Sequence, residues 1–129
     1  MASRFGFPAS ARLRRQSDFD AVFAAGTRVH GRFVTVIGRR TEGPLRVGIP
    51  CGRRFSKRAV DRNRFRRLVR ESFRLVRAQL PAGLDVVVLP RCKPGEPTFA
   101  ALSVEVPELV RRVARKLEET PAPASKDKP

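Results

Sequence analysis

The chain has 129 residues, with 28 Lys or Arg against 12 Asp or Glu and a formal net charge of +16. That length fits one domain with a modest core, and so large a surplus repels itself unless it meets a polyanion, most commonly nucleic acid. One histidine, His30, and two cysteines, Cys51 and Cys92, with no CxxC spacing exclude a zinc centre held by the protein. No apolar run of signal-peptide or membrane-span length is present. The sequence therefore reads as cytoplasmic, with both thiols reduced and no membrane partner.

Residues 1–16 carry Arg4, Arg12, Arg14 and Arg15 and no acid, as expected of a basic N-terminal arm or an edge segment leading into the fold. Ser17 offers an N-cap hydroxyl, and Asp18 and Asp20 favour the positive end of a helix over 18–25 that stops at Gly26. Phe19, Val22 and Phe23 share one face of it. A strand is predicted over 29–38, a turn over 41–44 and a partner strand over 45–50, where Leu45, Val47 and Ile49 alternate. A long helix follows from 59 to about 80 and ends before Pro81-Ala-Gly83. The apolar run over 84–89 predicts a strand buried on both faces. Residues 91–97 form a loop, and a last helix starts near Pro107 with Leu109, Val110, Val113 and Leu117 facing inward. From Thr120 nothing is available to bury, so disorder is expected. The division is an arm over 1–16, a single domain over 17–118 that carries the polyanion-binding charge and a disordered tail over 119–129.

The charge is concentrated. Between Arg53 and Arg77 stand eleven basic residues and two acids, Asp61 and Glu71, a local surplus of +9. At about 100° per residue, Asn63, Arg66, Arg67, Arg70, Arg74 and Arg77 fall on one side of the long helix, while Phe65, Leu68, Val69, Phe73, Val76 and Leu80 occupy another. Arg62 lies at the edge of the apolar arc and Arg64 on the far flank. Solvated helices usually intersperse acids to gain i,i+4 pairs; this one stacks like charges instead, which a polyanion would offset. Arginine suits phosphate because its planar fork donates two parallel hydrogen bonds.

The stretch from Gly48 to Arg74, GIPCGRRFSKRAVDRNRFRRLVRESFR, resembles the signature of the bacterial ribonuclease P protein family. Arg53-Arg54 stand at its basic pair, Lys57 and Arg58 in the short basic spacer, Arg62-Asn63-Arg64 at the RNR core, Arg66-Arg67 at the next basic pair, and Arg70-Glu71 at RE. Asp18-Phe-x-x-Val-Phe23 followed by Gly26 resembles the family's first helix. Departures are mostly Lys to Arg, together with Pro50, Cys51 and Pro107.

The resemblance implies an α+β fold: a small α/β sandwich of the ribosomal protein S5 domain 2-like kind. Its sheet has about four strands, and the RNR helix is a βαβ crossover that is left-handed in the family, against the usual rule. It implies a monomeric subunit, one per RNA, of a ribonucleoprotein. The catalytic RNA performs Mg²⁺-dependent hydrolysis of precursor tRNA, releasing the 5′ leader, with the ion held by the RNA and substrate. It assigns RNA contact to Arg53, Arg54, Lys57, Arg58, Arg62, Asn63, Arg64, Arg66, Arg67, Arg70 and Arg74. A cleft between the sheet face and first helix would hold the leader, with Phe19 and Phe23 stacking on its bases and Phe33 adding to them from the adjacent strand.

The residues themselves agree on who does the chemistry. The 12 acids are scattered with no paired cluster for two metal ions, so no catalytic residue, no metal ligand and no small-molecule substrate is assigned. His30 reads as a strand-start residue near RNA. The alternatives are a ribosomal-protein-like RNA scaffold without nuclease activity and, more distantly, a DNA-compacting protein, which would want a recognition helix or dimerisation heptad.

Overall fold

Strand β4 (Leu84–Pro90) organises the sheet. Its alternate residues Leu84, Val86 and Val88 join the main core, and Val87 joins a second cluster on the opposite face. A strand apolar on both faces belongs in the middle, with neighbours on each side. In the computed structural model, which describes residues 9–119, the remaining elements fall around it. They are strands β1 (Thr27–His30), β2 (Val34–Arg40) and β3 (Arg46–Gly48) and helices α1 (Gln16–Ala25), α2 (Ala59–Arg74) and α3 (Phe99–Glu119), with 3₁₀ turns at Ala9–Ala11 and Arg77–Gln79. The sheet order is β1-β2-β4-β3. β4 is antiparallel to β2 and parallel to β3, so α2 is the crossover of a βαβ unit, and the α+β fold with four strands stands as expected. Helices α2 and α3 bury Phe65, Val69, Phe73, Leu102, Val106, Val110 and Val113 on one face; α1 covers part of the other through Val22 and Phe19.

Several boundaries differ from the sequence prediction, each for a physical reason. The single strand expected over 29–38 is a hairpin, β1 pairing β2 with His30 opposite Thr35. The chain breaks there because Glu105, on α3, accepts the backbone N–H groups of Arg32 (3.1 Å), Phe33 (2.7 Å) and Val34 (2.9 Å). His30 consequently ends a strand and does not start one. The strand near 45–50 pairs with β4, not with its sequence neighbour β2, because β4 takes the central place.

Helix α2 stops at Arg74, short of Leu80. Its last turn tightens through the N–H of Val76 to the carbonyl of Phe73, and the following 3₁₀ turn still delivers Leu80 to the core. Helix α3 begins at Phe99, well before Pro107. Thr98 caps it, its Oγ1 accepting the N–H of Ala101 at 3.1 Å, and Pro107 is buried inside the helix, where the apolar face outweighs the one missing hydrogen bond. Ser17 is no cap either: α1 starts at Gln16, with Arg15 before it and no side-chain cap.

The N-terminal arm takes the edge role over its described part. Arg12 bridges to Val47 in parallel, the N–H of Leu13 donates to the Val47 carbonyl at 2.9 Å, and Ala11 and Leu13 are buried. The fold thus begins before residue 17. Arg4 and the tail from residue 120 lie outside the described residues.

Candidate nucleic-acid interface

Helix α2 turns a buried row of Phe65, Val69 and Phe73 to the core, as its period predicts. The segment that enters it, residues 49–58, wraps across its first turns as a strap. Phe55 stacks at a tilt on Phe65, ring centroids 5.3 Å apart. In place of an N-cap side chain, Ser56 Oγ donates to Asp61 Oδ2 at 2.7 Å and accepts the N–H of Arg58 at 3.1 Å.

The eleven predicted contact residues divide into two sets. Arg53, Arg54, Lys57, Arg58, Asn63 and Arg67 are exposed, four on the strap and two on the outer face of α2. The others are half-buried. Arg62 Nη1 donates to the carbonyls of Ser56 (2.9 Å) and Lys57 (3.0 Å). Arg64 Nη2 donates to Pro97 (3.2 Å). Arg66 reaches Ile49 through Nε (3.3 Å), Cys51 through Nη2 (2.7 Å) and Asn63 Oδ1 through Nη1 (3.3 Å). Arg74 pairs with Glu71 at 2.6 Å, which raises its pKa further above its ordinary value. Arg70 is held below the usual guanidinium value, first by burial and then by the charges of Arg12 and Arg66. Arg12 therefore brings the edge segment's charge beside the helix ridge, joining two basic regions that lie far apart in the sequence. Burial pushes the Cys51 thiol up, against the opposing pull of Arg66 and Arg62; Cys92 is likewise raised by burial, and both are free thiols.

On the other side of the sheet, α1 presents Phe19 and Phe23 together. Phe19 lies over Gly48 so closely that a Cβ there would sit 2.5 Å from the ring and force it to shift. Phe23 is 38% exposed beside it. Phe33 is not brought to them: it packs against the main core, with the Arg32 guanidinium 5.2 Å over its ring. His30 Nδ1 lies 2.9 Å from Thr35 Oγ1.

Beneath α1 runs a charged row that sequence patterning missed. Asp85, fully buried on β4, stands opposite Arg39 of β2 and Arg46 of β3 in register. Arg46 grips it with two bonds of 2.9 and 2.8 Å, Arg39 lies 3.6 Å away, and Asp18 of α1 approaches Arg46 from the far side at 3.6 Å. The hydrogen bonds that Arg46 donates to Asp85 raise the arginine's pKa. The signal was a lone acid inside an apolar strand, which requires buried partners. Glu105 was missed too, since nothing local marks a helix residue that binds a hairpin some 70 positions away.

The family profile described as Ribonuclease P matches residues 7–114. The ribonuclease P protein component of Chromohalobacter salexigens is 48% identical over 88 residues, covering 67% of this chain and 68% of that protein. That of Nitrosococcus oceani is 48% identical over 94 residues, 71% and 76% of the two chains. The solved structure of the RNase P protein from Thermotoga maritima superposes with a TM-score of 0.71 at 32% identity, over 79% of this chain and 96% of that one.

Proposed function

The chain belongs to the bacterial ribonuclease P protein family, the protein subunit of the ribonucleoprotein that processes tRNA 5′ ends, and we propose that it docks on the catalytic RNA through the strap and the outer face of α2. The observation that carries this is the exposed set Arg53, Arg54, Lys57, Arg58, Asn63 and Arg67, drawn from the strap and from the helix it wraps. Phosphate contacts of that kind fix register and supply most of the affinity. The scaffold and DNA-compaction alternatives lose to the family match.

Phosphodiester hydrolysis falls to the RNA. The carboxylates nearest the ridge are committed, Asp61 to Ser56 and Glu71 to Arg74, and Asp85 and Glu105 are held by guanidinium and backbone N–H groups. This donor set does not suit a Mg²⁺ ion, so the ion belongs to RNA and substrate. The exposed ring of Phe23, with Phe19 beside it, stacks on the 5′ leader of precursor tRNA; Phe33, packed elsewhere, is not part of this cleft. The protein acts as a monomer, one per RNA, in the cytoplasm. No helix of the described residues is long and apolar enough to cross a membrane.

The deciding experiment mixes the purified protein with a bacterial catalytic RNA and follows cleavage of precursor tRNA at low Mg²⁺. Cleavage faster than by RNA alone is expected; no gain would sink the proposal.

A further inference from the structure

Resting on that reading of the RNA surface, we propose that Arg62 and Arg66 are positioning residues: they grip the strap over 49–58 and set its four exposed cations for RNA, rather than contacting phosphate themselves. The strap has little structure of its own. Its internal backbone bonds are the N–H groups of Phe55 and Ser56 to the carbonyl of Gly52, at 3.1 and 3.5 Å. Four of its carbonyls are instead taken by two guanidiniums one helical turn apart on α2. Arg66 holds Ile49 and Cys51 at the strap's start, and Arg62 holds Ser56 and Lys57 at its end.

Between these grips stand Arg53 and Arg54, with Phe55 anchored on Phe65. All three nitrogens of Arg66 are engaged, Nε and Nη2 by the strap and Nη1 by Asn63, so only the second N–H of each Nη is left for any other acceptor. Both side chains are half-buried, whereas Arg53, Arg54, Lys57 and Arg58 are exposed. The division of labour follows from arginine chemistry. A guanidinium can hold two carbonyls at once and remain charged, Arg66 through Nε and Nη2 and Arg62 through Nη1 alone, so each grip also adds positive potential beneath the strap. A lysine keeps the charge, but its one nitrogen ends a bond short of the Nη position, so it loses the reach that Arg62 uses and the second nitrogen that Arg66 uses.

The test uses the full chain and a bacterial catalytic RNA, with two readouts. One is amide hydrogen exchange of residues 53–58 in the free protein; the other is RNA affinity as a function of salt. R53A/R54A should weaken binding and flatten the salt dependence by about one unit per lost contact, leaving strap exchange unchanged. R62K and R66K, although they conserve charge, should each speed strap exchange and weaken RNA binding by about tenfold, and R62K should be as damaging as R62A.

If R62K weakens binding while strap exchange stays at the wild-type rate, Arg62 touches RNA directly and the proposal is overturned. Faster exchange with unaltered affinity overturns it as well. R53A/R54A then separates the two ideas: reduced affinity there retires only the positioning role, and unchanged affinity retires the RNA surface too. Should the lysine variants fail to fold, F55A loosens the same strap from its apolar side. It should reproduce both effects, and a loosened strap with wild-type affinity would refute the proposal.

Discussion

The two faces of the sheet carry the same strands and opposite chemistry. Toward α2 and α3, β2 and β4 present Val34, Val36, Leu84, Val86 and Val88 to a continuous apolar cluster. Toward α1, the intervening residues are Thr35, Ile37, Arg39, Asp85 and Val87, with a carboxylate clasped between two arginines. The apolar face gains from area removed from water and tolerates approximate shape. The charged face gains only if its partners are all present, because a buried charge left alone is costly. Two-sided burial of β4 thus puts non-directional adhesion on one side and a fixed register on the other: Arg39, Asp85 and Arg46 meet only when β2, β4 and β3 are aligned as they are.

This contrast can be broken by experiment. Phe65→Ala on the apolar face should cost the most, about 3–5 kcal/mol in urea unfolding, as a large core truncation that also removes the seat of Phe55. Asp85→Ala should cost about 3 kcal/mol, at the lower end for a broken buried pair because both arginines are partly solvated; a loss below about 1 kcal/mol would make the charged row incidental to stability. Glu105→Gln, which keeps shape but turns one of the two accepting oxygens into an NH2 donor facing the backbone N–H groups, should cost about 1–3 kcal/mol. It should also speed hydrogen exchange at residues 32–34 specifically.

Phe23→Leu is the cleanest probe of α1 because its ring is exposed. It should weaken precursor tRNA by about 1 kcal/mol, a typical loss per stacked base, and leave mature tRNA unchanged; equal weakening of both would remove the stacking role. The smallest change is expected where the whole row is exchanged together. Replacing Arg39, Asp85 and Arg46 jointly by Met, Leu and Met should leave stability near the wild-type value or raise it, and a large loss would mean that the row does more than satisfy itself.

Much of this architecture was legible from patterning. The apolar run of 84–89 and the period of α2 identify the central strand and the inward face of the helix, and the RNR-spaced residues identify the family. What patterning could not supply were contacts made over long distances. The hairpin at 31–33 exists through Glu105, the pairing of β3 through the central demand of β4, and the burial of Arg62, Arg64 and Arg66 through carbonyls of the strap and of Pro97. Arginines counted from sequence as one ridge are therefore two populations. A helical wheel assigns direction to a side chain but is blind to a loop folding back over it.

The placement of β4 also fixes the order in which the nascent protein can close. During synthesis from the N-terminus, the β1–β2 hairpin emerges early, yet the inner edge of β2 stays open until residues 84–90 follow, and the β3 edge that faces β4 stays open with it. The hairpin tip waits longer still for Glu105. A chain released or stalled before residues 84–90 are made thus exposes the unpaired inner edges of β2 and β3, the kind of surface on which incomplete chains aggregate.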